Sequence, residues 1–167
     1  MDDIFQPASE RDVPRIFALI CSRIAWMDAR GIESWNKTGY LSHFPETYFY
    51  EKCRAGELYV LHGSDGALKG AVVLLTEDKY WGSLPPASAY YLHNLVSALD
   101  APGAGRTILR KIEMLARETG KDVLRLDCIR GNETINRFYE RDGYLVRGEC
   151  TDGFYHGILR EKRLSAI

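Results

Sequence analysis
Apolar positions recur along the chain with two periods, and each change of period marks a new element. Ile16, Ile20, Ile24 and Met27, widened by Phe17, make one stripe at helical spacing. It predicts a core-facing helix with Asp12 as N-cap, Pro14 in the first turn and Gly31 as its stop. A short strand at Ile4-Phe5-Gln6 precedes it, and Pro45 at a first helical position predicts a second helix over 45–55, stopped by Gly56. Strands at 58–61 and 68–75 flank Ser64-Asp65-Gly66, a hairpin signal because glycine accepts positive φ. A strand follows at 90–96. After the turn residues 100–105, Ile108, Ile112, Leu115, Leu109 and Ala116 predict an amphipathic helix that ends at Gly120. A buried strand at 123–128, a short helix at 132–141 closed by Gly143, and a hairpin over Asp152-Gly153 complete the chain. The irregular stretches are 29–44 and 76–87. The order is βααβββαβαββ: an α/β (α+β) chain with one mixed, mostly antiparallel sheet and helices on both faces.

Composition narrows the classes. The chain has 167 residues, 46% of them hydrophobic, enough for a single domain over 1–167 with its own core. A formal net charge of −1 supplies no basic field for nucleic acid or an acidic membrane. Cys21, Cys53, Cys128 and Cys150 are widely spaced, without a Cys-x-x-Cys pair or a His at ligand spacing, so they are expected as reduced thiols with no metal site. With no charged and apolar leader and no long apolar run, a cytoplasmic protein is expected.

The chemistry-bearing stretch is the strand, glycine turn, helix, strand and helix from Tyr90 to Tyr144. Gly103-Ala104-Gly105 before a helix brings backbone N–H groups and the positive end of the helix dipole to one place, which suits a phosphate, with Arg106 at the mouth. Taken alone, such a turn is also simply a tight turn. Asn132, Ile135, Phe138-Tyr139-Glu140 and Gly143-Tyr144 then follow in an order that resembles the second motif of the GNAT superfamily of acyl-CoA-dependent N-acetyltransferases. The glycine turn resembles that superfamily's pyrophosphate loop, Arg/Gln-x-x-Gly-x-Gly/Ala, in part. Counted without gaps, Pro102 stands at the Arg/Gln place, Gly105 matches and Thr107 fills the last place; a shifted register puts Asp100 first and matches Gly103 and Gly105. Because such loops bind through backbone N–H groups, only Pro102 removes a donor.

The resemblance implies a GNAT-like fold and transfer of an acetyl group from acetyl-CoA, as co-substrate, to a primary amine of a small molecule or peptide. It implies that Gly103, Ala104, Gly105, Arg106 and Thr107 hold the pyrophosphate, and that the backbone of Leu95, Val96 and Ser97 pairs with the pantetheine amides like an added strand. It also implies Tyr139 as general acid toward the departing thiolate; the alternative is a tyrosine packed under its helix with the hydroxyl on a backbone carbonyl. Asn132 holds the pantetheine arm, caps the helix after it, or does both. Direct attack needs no covalent nucleophile, in keeping with a chain that shows no Ser-His-Asp or Cys-His arrangement.

The base and the acceptor side carry weaker signals. By strand alternation His93 shares a face with Leu95 and Ser97, and imidazole as a residue type suits a proton relay, although a lone strand His is more often packed. Asp127 is expected to pair with Arg125 or Arg130. Glu77 or Asp78 can attract a cationic acceptor or simply be solvated. Trp35 and Tyr40 line the acceptor pocket or pack two helices together, and Trp81 is placed on the acceptor side. Exposed aromatics there suit a pocket or a homodimer contact alike. A non-catalytic acyl-CoA-binding sensor or scaffold on the same fold is the alternative function, and an unrelated phosphate-binding α/β domain the third.

Overall fold
The structure is a computed structural model and describes residues 2–165. Its elements are β1 (Ile4–Pro7), α1 (Val13–Ala29), α2 (Tyr40–His43), α3 (Glu46–Arg54), β2 (Leu58–His62), β3 (Leu68–Leu75), β4 (Ala89–Ser97), α4 (Ala104–Glu118), β5 (Val123–Ile129), α5 (Glu133–Arg141), β6 (Leu145–Asp152) and β7 (Tyr155–Arg163). The strands form one seven-stranded sheet in the order β1-β2-β3-β4-β5-β7-β6. β1 with β2, β2 with β3, β5 with β7 and β6 with β7 are antiparallel, while β4 and β5 run parallel, joined by α4. The mixed, mostly antiparallel sheet expected from the pattern is the one observed.

The chain divides into two compact units: Met1–Leu74 with Asn94–Lys111, and Leu75–His93 with Ile112–Ile167. In the first, α1 buries Val13, Ile16 and Ile20 and α3 buries Phe49, whose ring meets Phe17 at 6.4 Å. Ile24 and Met27 of the predicted stripe are only half-buried. β3 is apolar on both faces, and Gly70 lies where it comes close to β4 and α4. A Cβ at Gly70 would stand 2.6 Å from the Val96 carbonyl oxygen and 2.7 Å from Ile108 Cδ1. In the second unit, Trp81, Ala89, Tyr91, Val123, Cys150 and Leu159 form one buried cluster.

Four local expectations are corrected. The 29–44 stretch contains a four-residue helix, α2, entered through Gly39 at φ +66; it is too short to leave a periodic signal. Asp12 sits at the start of α1 but does not cap it: its carboxylate accepts from the Ser9 N–H at 2.8 Å and hydroxyl at 2.9 Å and lies 3.2 Å from His62 Nε2. Pro45 is the extended residue before α3 rather than its first helical residue. The last hairpin is longer than its apolar residues suggest, because β6 is an exposed strand of mostly polar residues.

Gly70→Ala is expected to destabilise the protein by about 1–3 kcal/mol, since the backbone carbonyl it would strike cannot rotate away. Urea unfolding measures this; an unchanged midpoint would show that β3 and β4 separate freely at that point.

Candidate active site
Within the first unit, β4 is interrupted at Asn94, which takes φ +57, a conformation few residues other than glycine adopt. Its side chain is held from both sides: Nδ2 donates to the Tyr40 hydroxyl at 2.6 Å and Oδ1 accepts from the Tyr48 hydroxyl at 3.1 Å. Tyr40 in turn stacks on Trp35, with ring centroids 4.4 Å apart. The two aromatics expected at the acceptor side thus form one stack tied to β4, with Tyr40 buried. The break at Asn94 also removes the strict alternation behind the expected common face of His93, Leu95 and Ser97.

Beyond Asn94 the pleat resumes. The Val96 carbonyl faces Gly70 of β3, and the Ala98 N–H donates to the Lys69 carbonyl at 2.8 Å. By alternation the backbone groups of Leu95 and Ser97 point away from β3. The Ser97 carbonyl accepts from Arg23 at 2.5 Å, so Arg23 already occupies one of the acceptors expected to meet a ligand amide. Gly103, at φ +84, turns the chain into α4, and the helix begins at Ala104, two residues earlier than a glycine pair ahead of the helix would have it. The Thr107 N–H donates back to the Gly103 carbonyl at 3.0 Å, and the Ala104 N–H to that of Ala101 at 3.2 Å. Gly105 and Arg106 have no backbone acceptor among the described residues, leaving two N–H groups at the positive end of a fifteen-residue helix.

In the second unit, the β4–β5 ladder runs from Ala89↔Val123 to Leu92↔Leu126. Asn132 caps α5, its Oδ1 accepting from the Ile135 N–H at 3.2 Å. Tyr139 is 7% exposed, packed against Phe138 and Tyr144, and its hydroxyl has no hydrogen-bond partner among the described residues. Burial, with Cys128 and Asp127 adding to it, pushes the phenol well above its ordinary value.

His93 is held by a residue that local sequence did not single out as its partner. Its Nε2 lies 2.7 Å from Asp78 Oδ2, while Asp78 Oδ1 accepts from the Tyr80 N–H at 2.9 Å. The Asp78 side chain is 3% exposed, so it is not a solvated loop acid. Asp127 pairs with neither expected arginine. Arg125 binds Glu161 at 2.8 Å, Arg130 reaches Glu149 at 3.7 Å, and Asp127 accepts the Tyr155 hydroxyl. Gly157 makes room for that contact: a Cβ there would stand 2.9 Å from the Tyr155 hydroxyl and 2.8 Å from Cys150 Sγ. Donor atoms of Asp78, His93 and Asp127 lie within 4.8 Å of one another. Burial raises the Asp127 pKa above the ordinary carboxylate range, opposed by Tyr155 and His93 and reinforced by Asp78.

Trp81, expected on the acceptor side, is a core residue, 2% exposed, with its ring under the Arg125 guanidinium at 4.6 Å. Asn136, which the sequence left unremarked, donates to the Ile129 and Asn132 carbonyls and accepts from Arg160 and the Cys128 thiol. It fixes α5 to β5 and β7. The four cysteines are free thiols, and no helix among the described residues is long and apolar enough to cross a membrane.

With this geometry in place, the chain compares closely with acetyltransferases. It is 26% identical over 167 residues to the Bacillus subtilis (strain 168) protein named uncharacterized N-acetyltransferase YesJ, spanning 96% of this chain and 89% of that one. A GNAT-family acetyltransferase of Listeria monocytogenes 4b F2365 superposes with a TM-score of 0.81 at 26% identity, over 97% of this chain and 95% of its own. One from Streptococcus agalactiae 2603 gives 0.80 at 15% identity, over 98% and 96%. The PaiA N-acetyltransferase of Thermoplasma acidophilum, solved in complex with coenzyme A, gives 0.72 at 19% identity, over 98% and 99%. No family model matches the chain. The fold is that of the GNAT acetyltransferases, and the likeness first read in α5 extends along the chain. Fold and relative together support N-acetyltransferase activity.

Asp127→Asn is expected to raise the melting temperature at pH 8, where the wild-type carboxylate is ionised against its raised pKa. The wild-type chain binds that proton more tightly when folded, so its stability falls as pH rises through the folded pKa, and the variant's advantage should vanish toward pH 4. Each kcal/mol gained corresponds to about 2–4 °C. A variant less stable at pH 8 than at pH 4, relative to wild type, would mean the ionised Asp127 is compensated in the folded chain.

Proposed function
We propose that the protein is an N-acetyltransferase that transfers an acetyl group from acetyl-CoA to a primary amine of a small molecule or peptide, both substrates being held together for direct attack. The observation that carries this reading is Tyr139: on the helix that bears the GNAT-like motif, its phenol is buried, neutral and without a protein partner. Tyr139 stands at the tyrosine place of that motif, and a neutral phenol can donate its proton to a departing thiolate.

The chain's backbone fits acetyl-CoA. The free N–H groups of Gly105 and Arg106 at the start of α4 suit a pyrophosphate, with the Arg106 guanidinium beside them. Leu95 and the Ser97 N–H face away from β3 and suit the pantetheine amides, the Ser97 carbonyl being held by Arg23, and Asn132 stands at the start of α5. Acetyl-CoA, when bound, supplies the thioester that the amine attacks. Tyr139 donates its proton to the departing sulfur, and His93, oriented by Asp78, takes a proton from the amine. Trp35 and Tyr40 bound the acceptor side.

Calorimetric titration with acetyl-CoA, and with ATP as control, tests the reading. Micromolar binding is expected for acetyl-CoA and none for ATP. Gly105→Glu should abolish it while leaving the fold intact, because an acidic side chain suits a first helical turn. Tyr139→Phe should lower kcat by about 10²–10⁴-fold and leave acetyl-CoA affinity unchanged. Wild-type binding without any turnover would favour an acyl-CoA sensor; no binding at all would remove the enzyme reading. Since Tyr139 is pushed above its ordinary value, its ionisation should cause no loss of kcat through pH 10. A basic limb that disappears in Tyr139→Phe would show the phenol to be unshifted.

A further inference from the structure
We propose that a cavity in the second unit, between the start of α5 and the β6–β7 hairpin, is a binding site for a small monocarboxylate with a short aliphatic chain. Arg160 meets the carboxylate, and Val146 and Ile158 meet the chain. None of these residues is among those assigned to acetyl-CoA or to the amine acceptor.

The cavity has a volume of about 380 Å³ and is lined by Arg130 after β5, Glu133 and Asn136 of α5, Val146 of β6, and Ile158 and Arg160 of β7. Arg160 is 6% exposed, and a guanidinium stays charged at any working pH. Its partners hold it but are neutral. Nε and Nη2 donate to Asn136 Oδ1 at 3.3 and 3.2 Å, and Nη1 donates to the Tyr144 carbonyl at 2.9 Å. These contacts leave further N–H donors of the guanidinium free for a ligand. The Cys128 thiol beside it, pushed up to about 11 chiefly by burial, stays neutral and supplies no counter-charge. Glu161, next along β7, belongs to the opposite face by alternation and is engaged by Arg125 at 2.8 Å.

The other charges at the cavity cancel in pairs. Arg130 reaches Glu149 at 3.7 Å, Arg137 reaches Glu133 at 3.4 Å, and His156 Nε2 lies 3.2 Å from Glu149. The positive charge of Arg160 is therefore left over, in the place where water screens it least. A buried cation without a counter-ion is costly, and a single carboxylate removes that cost. A dianion brings a second negative charge that nothing here matches, with Glu133 and Glu149 nearby to oppose it. The start of α5 adds to the pull on an anion. Asn132 takes the Ile135 N–H, while the N–H groups of Glu133 and Thr134 have no acceptor among the described residues. The remaining wall selects for carbon: Val146 is 57% exposed, so an aliphatic chain that covers it and Ile158 gains burial.

The test uses the full chain at pH 7.5 and matched ionic strength, with sodium butyrate as probe, butyramide as its neutral counterpart and inorganic phosphate as the dianion. Equilibrium dialysis is expected to give one butyrate per chain with a Kd of about 1 mM or tighter. At about 20 mM butyrate the melting temperature should rise by about 4 °C or more, with little change for butyramide or phosphate. Val146 stands directly opposite Arg160 in the β6–β7 ladder, so Val146→Glu supplies the missing counter-ion from within the chain. It should raise the melting temperature without ligand and abolish butyrate binding, and it leaves the contacts of Arg160 with Asn136 and Tyr144 in place. Val146→Gln, similar in size and uncharged, should keep the butyrate Kd within about threefold. The proposal is overturned by the absence of saturable butyrate binding, or by a shift with butyramide or phosphate equal to that with butyrate. It is also overturned if Val146→Glu keeps the wild-type affinity or if Val146→Gln loses binding to the same extent, since charge at Arg160 would then not govern the site.

Discussion

The constraint on which the first unit's part of β4 depends is a single backbone conformation, the left-handed turn of Asn94. An L-residue in that conformation costs about 1–2 kcal/mol. The side chain offsets this through hydrogen bonds to Tyr40 and Tyr48, each worth about 0.5–1.5 kcal/mol net. Asparagine suits the place twice over, since its amide donates and accepts at once and its short polar side chain tolerates positive φ. The consequences run in both directions along the strand. Upstream, the β4–β5 ladder has its last pair at Leu92, and His93 is left to an acid from the preceding loop. Downstream, the pleat restarts so that Val96 faces β3 while Leu95 and Ser97 face away from it.

Buried charge in this protein is handled in three ways. Arg125 is fully matched: Glu161, the Tyr91 hydroxyl and the Pro85 carbonyl satisfy it, and its face stacks on Trp81. That arrangement welds a core together. Arg160 has no carboxylate partner within reach among the described residues, yet its guanidinium is held by Asn136 and the Tyr144 carbonyl, which pins α5 and the turn after it. Asp127 is the third case. Its one strong donor is a neutral phenol, and its neighbours include a second carboxylate. Removing charge from the first two positions would loosen packing, whereas Asp127 is an acid whose burial opposes its ionisation.

What was legible in the sequence follows the range of the interactions concerned. Apolar pattern together with turn and glycine signals revealed the seven strands and the four longer helices, because each of those signals is local. The α5 motif was equally local, and it pointed to the acetyltransferase fold before any tertiary contact was known. α2 was missed because four residues cannot show a period, and Asp12 was misread because Ser9, just upstream, competes for the same carboxylate. Trp81 was taken for an acceptor-side residue since its flanking sequence is polar and Pro-rich; only the distant Arg125 and Tyr91 make it core. The acid partner of His93, Asp78, lies 15 positions away in the preceding segment, beyond any local rule. For Asp127 the one available signal was its place among the apolar residues of β5, where an ionisable side chain needs a reason to be.

Burial acts on Tyr139 and on Asp127 alike, and the two are coupled. Tyr139 is held neutral first by desolvation and then by the negative charge on Cys128, were it to ionise, and on Asp127. Asp127 thus acts on the phenol across space while accepting the Tyr155 hydroxyl. The coupling needs no moving part: it follows from placing one carboxylate within electrostatic reach of Tyr139 and of His93.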